Sequence, residues 1–233
     1  MMDKVTIRGI SLFPFSSRRQ IATYAELHPG ILVAVNAEKM LNATPQTRDI
    51  INRSIGFCDG AGPLMMLHRK GYKDAIKVAG CELWLSLVEH LYRRKSFYLI
   101  GAKQEVIQDA VQKLEATYED IRIVGYRNGY IATEEEKEAL IADVVRKKPD
   151  VVFVAMGSPK QELLIEEMFR SHQAIYQGLG GSFDVYTGRV KRAPKWWIDH
   201  QLEWLYRLIL QPKRIVRQIV LTRFAWWILR GKY

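Results

Sequence analysis

Asp150 and Gly157 bracket an unbroken apolar run, Val151 to Met156. A valine-rich run of that length predicts a strand buried on both faces of a parallel sheet. Shorter runs repeat the signal at Ile31–Val35, Ile55–Cys58, Phe97–Ile100, Ile121–Val124 and Ala174–Gln177, with Val5–Ile10 as a short first strand. Between them the pattern predicts helices. Asn36-Ala37-Glu38 opens one over Lys39 to about Asn42, and Arg48–Ser54 continues after Pro45. Leu64–Lys70 follows, then Cys81–Arg94, where Leu83, Trp84, Leu87, Val88 and Leu91 share a face. Gln104–Tyr118, Thr133–Lys147 and Lys160–Phe169 complete the set, and Thr133-Glu-Glu-Glu136 fits a capping box. Strands alternating with helices predict an α/β fold with a Rossmann-like, doubly wound and mostly parallel sheet.

Two turns stand out in this frame. Gly157-Ser158-Pro159 follows the strongest strand, with Ser158 placed as an N-cap and Pro159 at the first helical position. Such a turn leaves backbone N–H groups at a helix N-terminus, where a phosphate can sit, and Lys160 and Gln161 stand in its first turn. Gly178-Leu-Gly180-Gly181-Ser182 follows the last strand and leads into Phe183-Asp184 and the basic run Arg189, Lys191, Arg192. Glycines after a strand let a ligand approach the backbone closely. Either turn alone fits any α/β domain; the two together, with basic residues behind them, fit a site for a nucleotide diphosphate.

Charge divides the chain. Residues 189–233 hold eleven lysines and arginines against two acids, a net of +9, so the first 188 residues carry about +1 of the total +10. The same tail holds five of the six tryptophans, beginning with Trp196 and Trp197. The composition therefore divides the chain into an α/β domain, 1–194, and a basic, Trp-rich helical appendage, 195–233, broken near Pro212. Aromatic rings beside cationic heads suit an interfacial helix on an anionic membrane. Two cysteines, Cys58 and Cys81, exclude a disulfide scaffold and point to a reducing compartment. No signal-peptide core and no run of 18 apolar residues occurs, so no spanning helix is expected.

Asp59 closes a buried strand and precedes Gly60 and Gly62. In open α/β sheets ligands bind at the carboxyl ends of strands, so Asp59 is either a general base or the cap of the next helix. Asn36 stands at the matching end of the neighbouring strand, where it binds a sugar hydroxyl or closes a turn. Glu38, two residues on, is a site carboxylate or a first-turn acid. The five histidines have no ligand-like spacing, and no Asp-x-Asp pair is present to hold a metal against a diphosphate, so no metal and no cofactor are expected. A Gly-x-Gly-x-x-Gly fingerprint, a Walker loop and a nucleophile elbow are all absent.

Five segments carry a resemblance to a known family: VNAEKM (35–40), Cys58-Asp59-Gly60-Ala61-Gly62, KVAGCEL (77–83), AMGSPKQE (155–162) and GLGGSFDVYTGRVKRAPKWW (178–197). With LEWLYRLILQPKRIVRQ (202–218) they make the chain resemble the WecG/TagA/CpsF glycosyltransferases over nearly its full length. Within that family the chain is most similar to the branch that transfers N-acetylmannosaminuronic acid in enterobacterial common antigen synthesis. Two positions depart from the family pattern: Ala34 replaces a frequent Thr, and Lys77 replaces an Arg, losing a bidentate donor.

The resemblance implies a metal-independent, inverting transfer of an N-acetylmannosamine-type sugar from UDP to the 4-hydroxyl of GlcNAc on a polyprenyl diphosphate. The site of action it implies is the inner face of the bacterial cytoplasmic membrane, with the enzyme held there peripherally. It places Asp59 at the general-base position and Asn36 and Gln161 at substrate-binding positions. Lys77, Lys160, Ser182, Phe183, Asp184, Lys191 and Arg192 complete the expected binding set, with Arg214 and Arg217 brought in from an appendage that completes the site at the membrane. Partners are then the UDP-sugar, the lipid-linked acceptor, an anionic membrane surface through 195–233 and, in one version, a second copy of the chain. Three rival readings remain: a transferase of uncharged N-acetylmannosamine, a nucleic-acid-binding protein using the +9 tail, and a scaffold subunit with a vestigial site.

Overall fold

Seventeen elements follow one another in the computed structural model, which describes residues 2–191, 193, 194, 196, 197, 200, 205, 206 and 209. They are β1 (Val5–Ile7), β2 (Ile10–Leu12), α1 (Arg18–Leu27), β3 (Ile31–Val35), α2 (Ala37–Asn42), α3 (Pro45–Arg53), β4 (Ile55–Cys58), α4 (Ala61–Arg69) and α5 (Gly80–Leu91). Then come β5 (Ser96–Gly101), α6 (Gln104–Thr117), β6 (Arg122–Arg127), α7 (Glu134–Lys147), β7 (Val151–Ala155), α8 (Lys160–Ser171), β8 (Ile175–Gly178) and α9 (Ser182–Tyr186). Six strands form one sheet in the order β4-β3-β8-β7-β5-β6, and every neighbouring pair is parallel. The expected doubly wound sheet is present and is all-parallel. Strands β4, β5 and β7 are buried at every residue, which is why their sequences are continuous apolar runs rather than alternating ones.

Alternate residues of each strand feed two cores. Val152 and Val154 of β7 join Leu140 and Val144 of α7 and Leu164, Ile165 and Met168 of α8 on one face. Val151 and Phe153 join Trp84, Leu87 and Val88 of α5 and Ile107 and Leu114 of α6 on the other. Each such buried side chain contributes roughly 1.5–3 kcal/mol. Trp84, fully buried, meets Phe153, Phe183 and Tyr186 edge-on at 5.6, 5.6 and 5.1 Å between centroids. That one indole locks α5 and α9 to β7, so the loops at the carboxyl edge of the sheet rest on a rigid floor.

Several local readings change. The segment expected as one strand over Val5–Ile10 is a hairpin, β1 and β2, turning at Arg8 and Gly9 with φ of 52° and 76°. α1 has no counterpart in the sequence reading; only Ile21, Ala22 and Ala25 of its ten residues are buried, too sparse a stripe to stand out. α4 starts at Ala61, before Gly62 and Pro63, because a proline in the first turn lacks only an N–H that has no helical partner there. The capping box at α7 is skewed by one residue: Thr133 accepts from Glu136 N–H at 3.2 Å, while Glu136 accepts from Ala132 N–H at 2.9 Å.

Candidate active site

β3 and β4 lie side by side, with Val35 opposite Cys58. The next residue on each strand is a candidate. Asp59 donates its backbone N–H to Val35 at 2.8 Å, which carries the pairing one step past β4 and sets Asp59 beside Asn36. Asn36 caps α2, its Oδ1 accepting from Lys39 N–H at 2.9 Å. Gly60, at φ 131°, sits so close that a Cβ there would come 3.9 Å from the Asn36 Cβ. The structure thus brings Asn36 and Asp59 together, both half-buried, at the carboxyl edge of the sheet.

The first turn of α5 forms the opposite wall. Val78 donates to Cys58 at 2.8 Å, so the 77–80 segment runs alongside the end of β4. A Cβ on Gly80 would stand 3.5 Å from the Ala34 Cβ and 4.0 Å from Asp59 Oδ2. α5 has no side-chain cap at its N-terminus, a place where negative charge is favoured. The Cys58 thiol reports both charges nearby: burial pushes it up to about 12, Asp59 pushes the same way, and Lys77 pulls against them. Lys77, the residue before Val78, is close to the Asp59 end of β4.

The two glycine turns are tied by one side chain. Gln161 is 4% exposed, and its Oε1 accepts from Gly157 N–H at 3.1 Å and from Gly180 N–H at 2.9 Å. Its Nε2 donates to Glu162 Oε1 at 3.2 Å. Gln161, expected to reach a ligand, holds the two turns together. Ser158 does not cap α8: Pro159 occupies the N-cap position, with no side-chain cap bond. Lys160 projects into solvent from the first turn. Gly178 is required where it stands, since a Cβ there would come 2.4 Å from Gln161 Nε2 and 2.9 Å from its Cδ. We expect Gly178→Ala to cost about 1–3 kcal/mol through overpacking, read as a lower unfolding midpoint. Gly181→Ala, whose Cβ meets nothing within 4 Å, is the control and should unfold close to the wild type.

The remaining expected residues divide. Ser182 is buried and donates its hydroxyl to Leu179 O at 2.6 Å. Phe183, fully buried against Trp84, is part of the floor rather than a ligand contact, a correction that follows from its zero exposure. Asp184 is half-buried in the first turn of α9, and Lys191 is exposed. Arg189 is drawn away from the turns to Asp109 of α6, 2.5 Å from NH2 to Oδ2. Arg192, Arg214 and Arg217, with most of the 195–233 appendage, lie outside the described residues. Sequence reasoning missed three contributors: Gly80, Gln177, which is fully buried and donates to Gly80 O at 3.1 Å, and the Lys39–Glu162 ion pair. Only tertiary contacts reveal them.

An open groove of about 690 Å³ follows α4, lined by Ala61, Leu64, Met65, His68, Arg69 and Lys73. Among the described residues no group of three or more His, Cys, Asp or Glu is placed to hold a metal, and no helix is long and apolar enough to cross a membrane.

A carboxylate at the end of β4 and two glycine turns after β7 and β8 stand at the same carboxyl edge of the sheet. The family model for the glycosyl transferase WecG/TagA/CpsF family matches residues 5–233, a span that includes every element of this site. The chain belongs to that family, and is a sugar-transferring enzyme of surface-polysaccharide synthesis with a sugar donor and an acceptor.

Proposed function

We propose that the chain transfers N-acetylmannosaminuronic acid from UDP to the 4-hydroxyl of a GlcNAc carried on polyprenyl diphosphate, in the synthesis of enterobacterial common antigen. The observation that carries this reading is the placement of Asp59. It is a carboxylate at the carboxyl end of β4, beside Asn36, across from the first turn of α5 and just before α4.

In the reaction, Asp59 accepts the proton of the acceptor hydroxyl as that oxygen attacks the anomeric carbon. The bond to the UDP oxygen breaks on the opposite side, and the centre inverts. UDP leaves with its negative charge, which the two glycine turns meet through backbone N–H groups other than those of Gly157 and Gly180, which Gln161 holds, aided by Lys160, Lys191 and Arg192. Asn36 and Lys77, on either side of Asp59, orient the sugars. Ser182 and Asp184 shape the second turn. The groove along α4, apolar near Asp59 and basic at its far end, suits an acceptor that joins a sugar to a lipid diphosphate. The appendage supplies the anionic-membrane contact at the inner face of the cytoplasmic membrane and brings Arg214 and Arg217 to complete the site.

The departing charge has cationic and backbone partners available, so activity is expected to survive EDTA unchanged. Loss of activity on chelation, restored by magnesium or manganese, would contradict that reading. The nucleotide reading is tested by calorimetric titration with UDP, run beside retention on nucleic acid at matched salt. Saturable UDP binding without nucleic-acid retention is expected; retention without UDP binding would favour the nucleic-acid reading that the +9 tail allows.

A further inference from the structure

Lys39 and Glu162 have no part in the chemistry above. Lys39 belongs to α2, which follows β3, and Glu162 to α8, which follows β7. Those strands are not neighbours; β8 lies between them. The 2.8 Å contact from Lys39 Nζ to Glu162 Oε1 therefore spans the interval that β8 occupies. The same Oε1 accepts from Gln161 Nε2, and Gln161 Oε1 accepts from the turns after β7 and β8. Asn36, at the end of β3, caps the helix on which Lys39 stands. One continuous chain of contacts thus runs from the Asn36 loop through Lys39, Glu162 and Gln161 to both glycine turns.

Stability alone does not account for this pair. The two side chains are 15% and 5% exposed. Burial pushes the Glu162 carboxyl up, yet Lys39 beside it and the Gln161 amide outweigh this and hold it below the usual carboxylate range. Its other oxygen, Oε2, is buried with no partner in good hydrogen-bond geometry, although the Ser158 side chain is near enough to help keep the carboxylate charged. Desolvating two charges costs about what their attraction returns, and apolar replacements of like volume are often neutral or stabilising. A buried acceptor left unsatisfied adds a further cost.

We infer that Lys39 and Glu162 are positioning residues of the transfer reaction. They orient the Gln161 amide, and through it fix the spacing between the Asn36 loop and the two turns that receive the donor diphosphate. This rests on the nucleotide-sugar reading of the site. The pair touches neither substrate; without it, the Gln161 amide that ties the two turns loses the partner that orients it.

The test uses the full chain and two variants. Lys39→Met/Glu162→Leu replaces the pair with apolar groups of similar volume, leaving no orphaned charge. It is expected to unfold within a few degrees of the wild type, yet to bind UDP roughly 10- to 100-fold more weakly, the penalty of mispositioned contacts. Its KM for the donor should rise by a like factor, while its KM for the acceptor at saturating donor stays unchanged. Glu162→Asp keeps the charge but draws the carboxylate back by one methylene from Gln161; it should remain folded and raise the donor KM in the same direction. A folded form of either variant with wild-type UDP affinity and donor KM overturns the inference and leaves the nucleotide reading intact. A wild-type chain that binds no UDP overturns both.

Discussion

Asp59→Asn is expected to fold normally, to bind UDP within a few-fold of the wild type, and to transfer sugar about 10²–10⁴-fold more slowly, the usual loss when a general base is removed. The substitution keeps the shape of the side chain. It also keeps the backbone bond to Val35 at 2.8 Å that sets the residue at the end of β4, so the neighbouring Asn36 and Gly80 are undisturbed. What disappears is the carboxylate that accepts the acceptor proton. The donor turns are built around Gln161 and do not involve Asp59, which is why binding and turnover should separate. The check is single-turnover transfer beside calorimetric UDP titration. Turnover above half that of the wild type would remove Asp59 from the mechanism.

The second large effect is expected from ending the chain after Pro194. Every strand, and every helix from α1 to α9, lies before that residue, and Ala193 is still buried, so the α/β unit should stay folded. What goes is residues 195–233, with Trp196 and Trp197 and most of the tail's arginines. Each cation near an anionic leaflet adds about 1 kcal/mol of attraction, so vesicle binding should collapse. Recruitment alone predicts that transfer to a short water-soluble acceptor survives. Completion of the site by Arg214 and Arg217 predicts failure on soluble and lipid-linked acceptors alike, and that is the outcome we expect. Undiminished activity on the lipid acceptor would refute both roles for the tail.

The sheet was legible because its strands are buried on both faces. Nothing but apolar residues suits Val151–Ala155 or Ile55–Cys58, so the runs announce themselves. Thr133 and its acids likewise marked the start of α7. The order of the strands was not legible, since it depends on which distant runs meet; only the paired registers settle that β8 sits between β3 and β7. The site was legible in part for a related reason. Asp59 and Asn36 sit at strand ends, and strand ends can be read from pattern. Gln161 was assigned by its place in a helix first turn, which does not disclose that its amide would be spent on Gly157 and Gly180. Phe183 was counted with its loop, while its ring is in the core against Trp84. Gly178 reads as one glycine among several until the Gln161 amide is found where its Cβ would be.

The measurement that bears most directly on the central claim is a transfer assay of the full chain with a panel of UDP-sugars on a GlcNAc-diphosphate-lipid, followed by mass spectrometry. The account predicts one product, heavier than the acceptor by an N-acetylmannosaminuronic acid residue, with UDP released in equal amount and the anomeric centre inverted. Transfer from UDP-N-acetylmannosamine in preference to the acidic sugar would contradict the donor assignment. No transfer from any UDP-sugar, by a folded protein, would contradict the reaction itself.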